Sequence, residues 1–198
     1  MLQLIDRVIN RFIIAQHGYE KLLELPDVRQ TYNYDCGVKA VQGVLAYYGI
    51  DIREDHLADM LGTTEEGTSP EKIIKVLSDQ GFDVEDGEMT ISELKRYIDN
   101  KYPVIVVLQA WADDPKNVDW EQDWDDGHYV ICAGYDGKRL IFEDPSIWQK
   151  VFLTEDEFMK RWHDISSAGN KFVHYGIAAK GTPAYHEFEL KHMDSEGD

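Results

Sequence analysis

Apolar residues recur at three- and four-residue spacing through Val38, Val41, Val44, Leu45 and Tyr48, the period of a helix with one buried face, and Gly49 supplies its stop. Further helices are predicted over Ile52 to Leu61, from Pro70 behind a Ser69 N-cap to Gln80, and after Thr90, whose partner Glu93 completes a capping box. From Pro103 the pattern changes to strands: Val104 to Gln109, a hairpin from 128 to 143 about the turn Asp136-Gly137, Gln149 to Leu153, and Phe172 to Ala179. A short helix capped by Thr154 and Glu157 interrupts them. Helices first and strands afterwards predict an α+β fold with an antiparallel sheet. At the start, Leu4, Ile5, Val8, Ile9, Phe12, Ile13 and Tyr19 form the stripe of a first helix ending near Glu24, before Pro26. Such a stripe either packs on the core or serves as a docking or dimer helix. The chain therefore divides into a helical extension (1–25), one main domain (26–180), and an acidic tail (181–198) whose end is expected to be mobile.

Cys36 opens the first of the main-domain helices, directly after Asp35, a good N-cap. There, free backbone N–H groups and the helix dipole favour a thiolate over a thiol. His128 and Asp144 stand at the two open ends of the predicted hairpin, where a two-residue turn makes terminal positions cross-strand neighbours and allows an imidazole–carboxylate pair. Gln30, six residues before the cysteine, can donate to a developing oxyanion together with the Cys36 N–H. Singly, these residues read as a buried cysteine, a strand-end histidine and a turn-forming aspartate; their order and contexts together point to nucleophilic catalysis. Cys132 sits mid-strand in an apolar run and reads as core. At about 3.3 Å per residue it lies about 13 Å along the strand from His128, too far for a disulfide to Cys36.

Gln30…Asp35-Cys36-Gly37, Gly127-His128-Tyr129-Val130 and Asp144-Pro145 resemble the papain-like cysteine peptidases, most closely the branch that removes double-glycine leader peptides from bacteriocin precursors. The resemblance runs through 26–180 and includes Leu57-Ala58, Leu61-Gly62-Thr63, Gly67-Thr68-Ser69 and Pro103-Val104-Ile105-Val106. It implies a helical half carrying Cys36 packed against a sheet carrying His128 and Asp144. It also implies Cys36 as nucleophile, His128 as base then acid, Asp144 as orienting carboxylate and Gln30 as oxyanion donor. The expected activity is hydrolysis of a peptide or amide bond through an acyl-enzyme, with no cofactor and no metal. Two other readings share the residues: an acyl- or peptidyltransferase using the same thioester, and a peptide-binding module that keeps the cleft without turnover.

Two departures from the family pattern stand out. Lys39 and Gln42 are polar on a helix where small or apolar residues are usual, and are expected to face solvent. The segment Trp111 to Asp126 brings seven carboxylates and three tryptophans up to the His128 strand. A calcium loop is a poor reading of it, because Gly127 falls where an oxygen ligand should be and no glutamate follows at the required distance. The alternative is a flexible lid, with Trp111, Trp124 and Gly127 contacting a substrate that is preferentially basic.

An excess of 38 acidic over 20 basic residues argues against nucleic-acid or anionic-membrane binding and fits solubility, attraction to basic partners or adaptation to high intracellular salt alike. No apolar stretch reaches the roughly 18 residues that span a bilayer, and no secretory signal opens the chain, so a cytoplasmic location is expected. Two cysteines suit a reducing compartment. There is no phosphate-binding loop motif, so the chain is expected to act without an ATPase or membrane part.

Overall fold

A computed structural model describes residues 19–186 of the chain. Three helices come first: α1 (Cys36–Tyr47), α2 (Glu54–Leu61) and α3 (Pro70–Asp79). The apolar spacing read from the sequence becomes the buried face of α1, where Val38, Val41, Val44 and Leu45 are all withdrawn from water. Gly43 lets that face come close to the sheet, because a Cβ there would stand 2.9 Å from Ile131 Cδ1. Helix α4 (Ile91–Asp99) starts with the complete Thr90–Glu93 capping box, and α5 (Glu155–Arg161) with the equivalent Thr154–Glu157 box. Ser69 caps α3 by position alone, its side chain making no cap bond.

The main sheet is antiparallel, with β2 (Asp83–Glu88), β9 (Tyr175–Lys180), β3 (Val104–Gln109), β4 (Gly127–Asp136), β5 (Arg139–Glu143) and β6 (Val151–Thr154) in that spatial order. Strand β3, buried along its whole length, lies at the centre between β9 and β4. A separate ribbon pairs β7 (His163–Ile165) with β8 (Lys171–Val173). Beside the sheet, Phe142, Phe158 and Trp162 stack in sequence with ring centroids 5.4 and 4.5 Å apart. Full burial of side chains this size stabilises by about 1.5–3 kcal/mol each, which fixes α5 against β5.

Several expectations are corrected. The first helix does not reach Glu24: Lys21–Leu22 form a strand, β1, paired with Tyr135 and Gly134 of β4, and the stripe from Leu4 to Phe12 and Ile13 lies outside the described residues. The hairpin turns on Gly137-Lys138, since Asp136 already pairs with Arg139, and Gly137 takes the left-handed conformation (φ 58°). Strand β2 was not foreseen, because its pattern is mostly exposed and polar; it is held by pairing with β9. The tail begins anchored: the N–H groups of Ala184 and Tyr185 both donate to the Tyr47 carbonyl at 3.1 and 3.0 Å.

Candidate active site

Cys36 is the first residue of α1, placed at the end of the helix where backbone N–H groups are unpaired. Asp35 occupies the N-cap position without capping. Its carboxylate turns back, and Oδ2 accepts the N–H groups of Thr31 and Tyr32 at 3.1 Å each. The donors at the head of α1 are thereby left to the groove that Cys36 lines. That groove, about 410 Å³, is shared by Thr68, Gly127, Tyr129 and Asp164. Gly127 makes room there for the Asp164 carboxylate, which a Cβ would meet at 2.4 Å unless that side chain moved.

His128 is the second residue of β4, and its Nε2 lies 2.7 Å from Asp144 Oδ1, both side chains being buried. The contact is diagonal. Beyond a bulge between Cys132 and Gly134 the register is Ile131↔Glu143, so one further step puts Asp144 opposite Val130, two positions along the strand from His128. Burial opposes the charge on His128, but hydrogen bonds to Asp144 and to Cys36 outweigh it and raise the imidazole to about 9. With Nε2 committed to the carboxylate, Nδ1 is the ring nitrogen left for the sulfur. Burial likewise opposes ionisation of Asp144, yet the His128 bond and charge bring its pKa below the ordinary value.

Two residues around this pair contribute in ways the sequence reading did not assign: Ser146 had no part there, and Trp111 was expected only at the substrate. Ser146 donates its N–H to Asp144 Oδ1 at 2.8 Å, and its Oγ lies 3.2 Å from Gln30 Oε1 and 3.4 Å from His128 Nε2, tying the helical side to the sheet side. The Asp-Pro-Ser turn was the only signal available for it. Trp111 donates its indole N–H to Asp144 Oδ2 at 3.1 Å from a left-handed backbone (φ 63°), a conformation a tryptophan adopts only where its surroundings impose it.

The expected substrate-contact residues divide between different surroundings. Gly127 lines the Cys36 groove, whereas Trp111 borders a separate apolar cavity of about 300 Å³ with Leu108, Val130, Phe142 and Phe152. Trp124 stacks on His163 with centroids 4.4 Å apart and carries the Lys171 ammonium 4.2 Å above its ring. The acidic loop is pinned rather than free: Asp126 N–H donates to Gln109 Oε1 at 2.8 Å, His163 Nε2 meets the Asp123 carbonyl at 2.7 Å, and the Arg161 guanidinium lies 3.6 Å from the Trp120 ring. Among the described residues no three His, Cys, Asp or Glu side chains converge as metal ligands.

Gln30 is braced at both ends of its amide. Oε1 accepts from Ser146, and one Nε2 hydrogen goes to the Tyr32 carbonyl at 2.9 Å, which leaves the second hydrogen. Lys39 is buried rather than solvent-facing, bonded to Glu54 at 2.6 Å and to Gln42 Oε1 at 3.0 Å, a pairing with a residue fifteen positions away. Both cysteines are free. Cys132 is fully buried, and that burial pushes its thiol up to about 12.

An α+β domain with a cysteine heading a buried helix, beside a histidine–aspartate pair offered by an antiparallel sheet, defines the class of papain-like cysteine peptidases. Within that class the chain belongs to the Peptidase C39 family, whose match covers residues 24–167. It is 26% identical over 133 residues to an uncharacterised protein of Methanothermobacter marburgensis, covering 67% of this chain and 80% of that one. It is also 30% identical over 131 residues to the lactococcin-G-processing and transport ATP-binding protein LagD of Lactococcus lactis, covering 65% of this chain but only 16% of the relative. Its fold resembles that of the peptidase domain of Streptococcus ComA (TM-score 0.59, 21% identity, 81% of this chain and 98% of that one). It also resembles a C39-like peptidase from Bacillus anthracis (TM-score 0.63, 17% identity, 83% and 100%). No described helix is long and apolar enough to cross a membrane.

Proposed function

We propose that the chain is a peptide hydrolase in which Cys36 is the nucleophile, His128 the base and then the acid, Asp144 the orienting carboxylate and Gln30 an oxyanion donor. The observation that carries this reading is the buried His128–Asp144 pair at 2.7 Å, with the His128 pKa raised by both Asp144 and Cys36. His128 takes the proton of the Cys36 thiol. The thiolate attacks the peptide carbonyl. The Cys36 N–H and the free Gln30 N–H receive the oxyanion, and His128 gives its proton to the leaving amine. Water, deprotonated by His128, then releases the acyl group from the thioester.

The Cys36 side of the groove admits little bulk. The cysteine is only 9% exposed, with Tyr129 and Thr68 close to it, which favours glycine-like residues next to the scissile bond. Similarity to the lactococcin-G-processing protein LagD supports a processing role. Glu65, Glu66 and Asp164 along the groove favour a basic peptide, and two free thiols suit a reducing, cytoplasmic setting.

The test is a pair of synthetic basic peptides, one with Gly-Gly and one with Leu-Leu before the cleavage point, incubated with and without an added amine acceptor and read by mass spectrometry. Cleavage after Gly-Gly, at least ~10-fold faster than after Leu-Leu and giving the free acid even with acceptor present, is the expected result. Transfer of the acyl group to the amine as the main product favours the transferase reading, and peptide binding without any cleavage favours the binding module.

A further inference from the structure

Asp35 is buried, sits beside the nucleophile, and its side chain makes no bond to the helix it precedes. Its Oδ2 gathers the N–H groups of Thr31 and Tyr32, while its Oδ1, equally buried, receives no N–H or O–H donor. Alongside lies Glu54, held as an anion by the Lys39 ammonium at 2.6 Å. Burial raises the Asp35 pKa, the two backbone N–H groups oppose that, and Glu54 adds to the rise. The Glu54 pKa is lowered: burial raises it, but bonds from Lys39 and Thr31 outweigh that effect.

Tyr32 links this arrangement to the chemistry. Its N–H is held by Asp35, and its carbonyl takes one hydrogen of the Gln30 amide. The path Asp35–Tyr32–Gln30 decides where the remaining Gln30 hydrogen points. We propose that Asp35 is a positioning residue for the oxyanion donor: through the two N–H groups held at its Oδ2 it fixes the Thr31–Tyr32 turn and through it the Gln30 amide. This rests on the peptidase reading for its effect on turnover, but not for its effect on Gln30 itself.

The experiment compares wild type, Asp35→Ala and Asp35→Asn, alone and combined with Gln30→Ala. Three quantities are read: kcat and KM on the Gly-Gly peptide, the iodoacetamide alkylation rate of Cys36, and solvent exchange of the Gln30 side-chain amide in ¹⁵N NMR spectra. Asp35→Ala is expected to lower kcat ~10–100-fold with KM within ~3-fold, because an oxyanion donor acts mainly in the transition state. Alkylation, a displacement that forms no oxyanion, should stay within ~3-fold of wild type. Asparagine keeps an oxygen for the two N–H groups and offers Nδ2–H to Glu54, so Asp35→Asn should stay within ~3-fold in kcat. Adding Asp35→Ala to Gln30→Ala should cause no further loss. Gln30 amide exchange should quicken in Asp35→Ala and not in Asp35→Asn.

Equal loss in the alanine and asparagine variants, a further loss on top of Gln30→Ala, or unchanged Gln30 exchange in Asp35→Ala would each overturn the proposal. Wild-type protein that cleaves no peptide overturns the peptidase reading instead, and the exchange measurement still decides the placement of Gln30.

Discussion

Replacing Cys36 by alanine is expected to abolish hydrolysis of the Gly-Gly peptide, by at least ~10⁴-fold in kcat, while leaving the fold and peptide binding in place. The size of the effect follows from the role. Every covalent step passes through the sulfur, and Ala offers neither a nucleophile nor a partner for the imidazolium. The small effect on stability follows from the position. Cys36 begins α1 at the groove wall, so the change removes one sulfur atom from the edge of the core and costs about 1 kcal/mol. Mass spectrometry of the peptide and a thermal melt of the variant check both halves. Turnover within ~10-fold of wild type would exclude Cys36 as the nucleophile.

Asp144→Ala should produce the second-largest loss and leave a distinct mark on the pH profile. Above its pKa of about 9 His128 loses the proton that the leaving amine needs, so the alkaline limb of kcat/KM in the wild type reports that group. Burial pushes the His128 pKa down, and Asp144 and Cys36 push it up. Without the carboxylate the balance moves toward the neutral ring, and the limb is expected to shift to lower pH by about one unit or more. With the ring no longer oriented, kcat falls by ~10²–10³-fold. The Trp111 indole and the Ser146 N–H also lose their acceptor, which loosens the turn after Asp144. A rate profile with the alkaline limb unmoved would show that Asp144 does not act on His128.

How far the site could be read from sequence depended on which interactions are local. The helix beginning at Cys36 and the hairpin carrying His128 were legible because their signals are periodicities and turn residues within a few positions. Asp144 was identified for a reason that was partly wrong: the ends of the hairpin meet, but across a bulge and along a diagonal. No pattern of single residues encodes a bulge between Cys132 and Gly134. Lys39 was expected in solvent because its partner Glu54 comes from a different helix. Trp111 and Ser146 contribute through directed hydrogen bonds from irregular backbone, where neither hydrophobic period nor capping rules apply. The outer strand β2 escaped notice because edge strands need not carry an apolar face.

The central claim is that Cys36 and His128 act as a thiolate–imidazolium pair, and the most direct test is the pH dependence of iodoacetamide labelling at each cysteine in wild type and His128→Ala. Cys132, buried and with its thiol pushed up to about 12, serves as an internal reference. The account predicts labelling of Cys36 already at about pH 6, at least ~10-fold slower in His128→Ala, with Cys132 unlabelled throughout. Labelling of Cys36 that is equally fast in both proteins, or that begins only near pH 8.5, the range of an ordinary thiol, would contradict it.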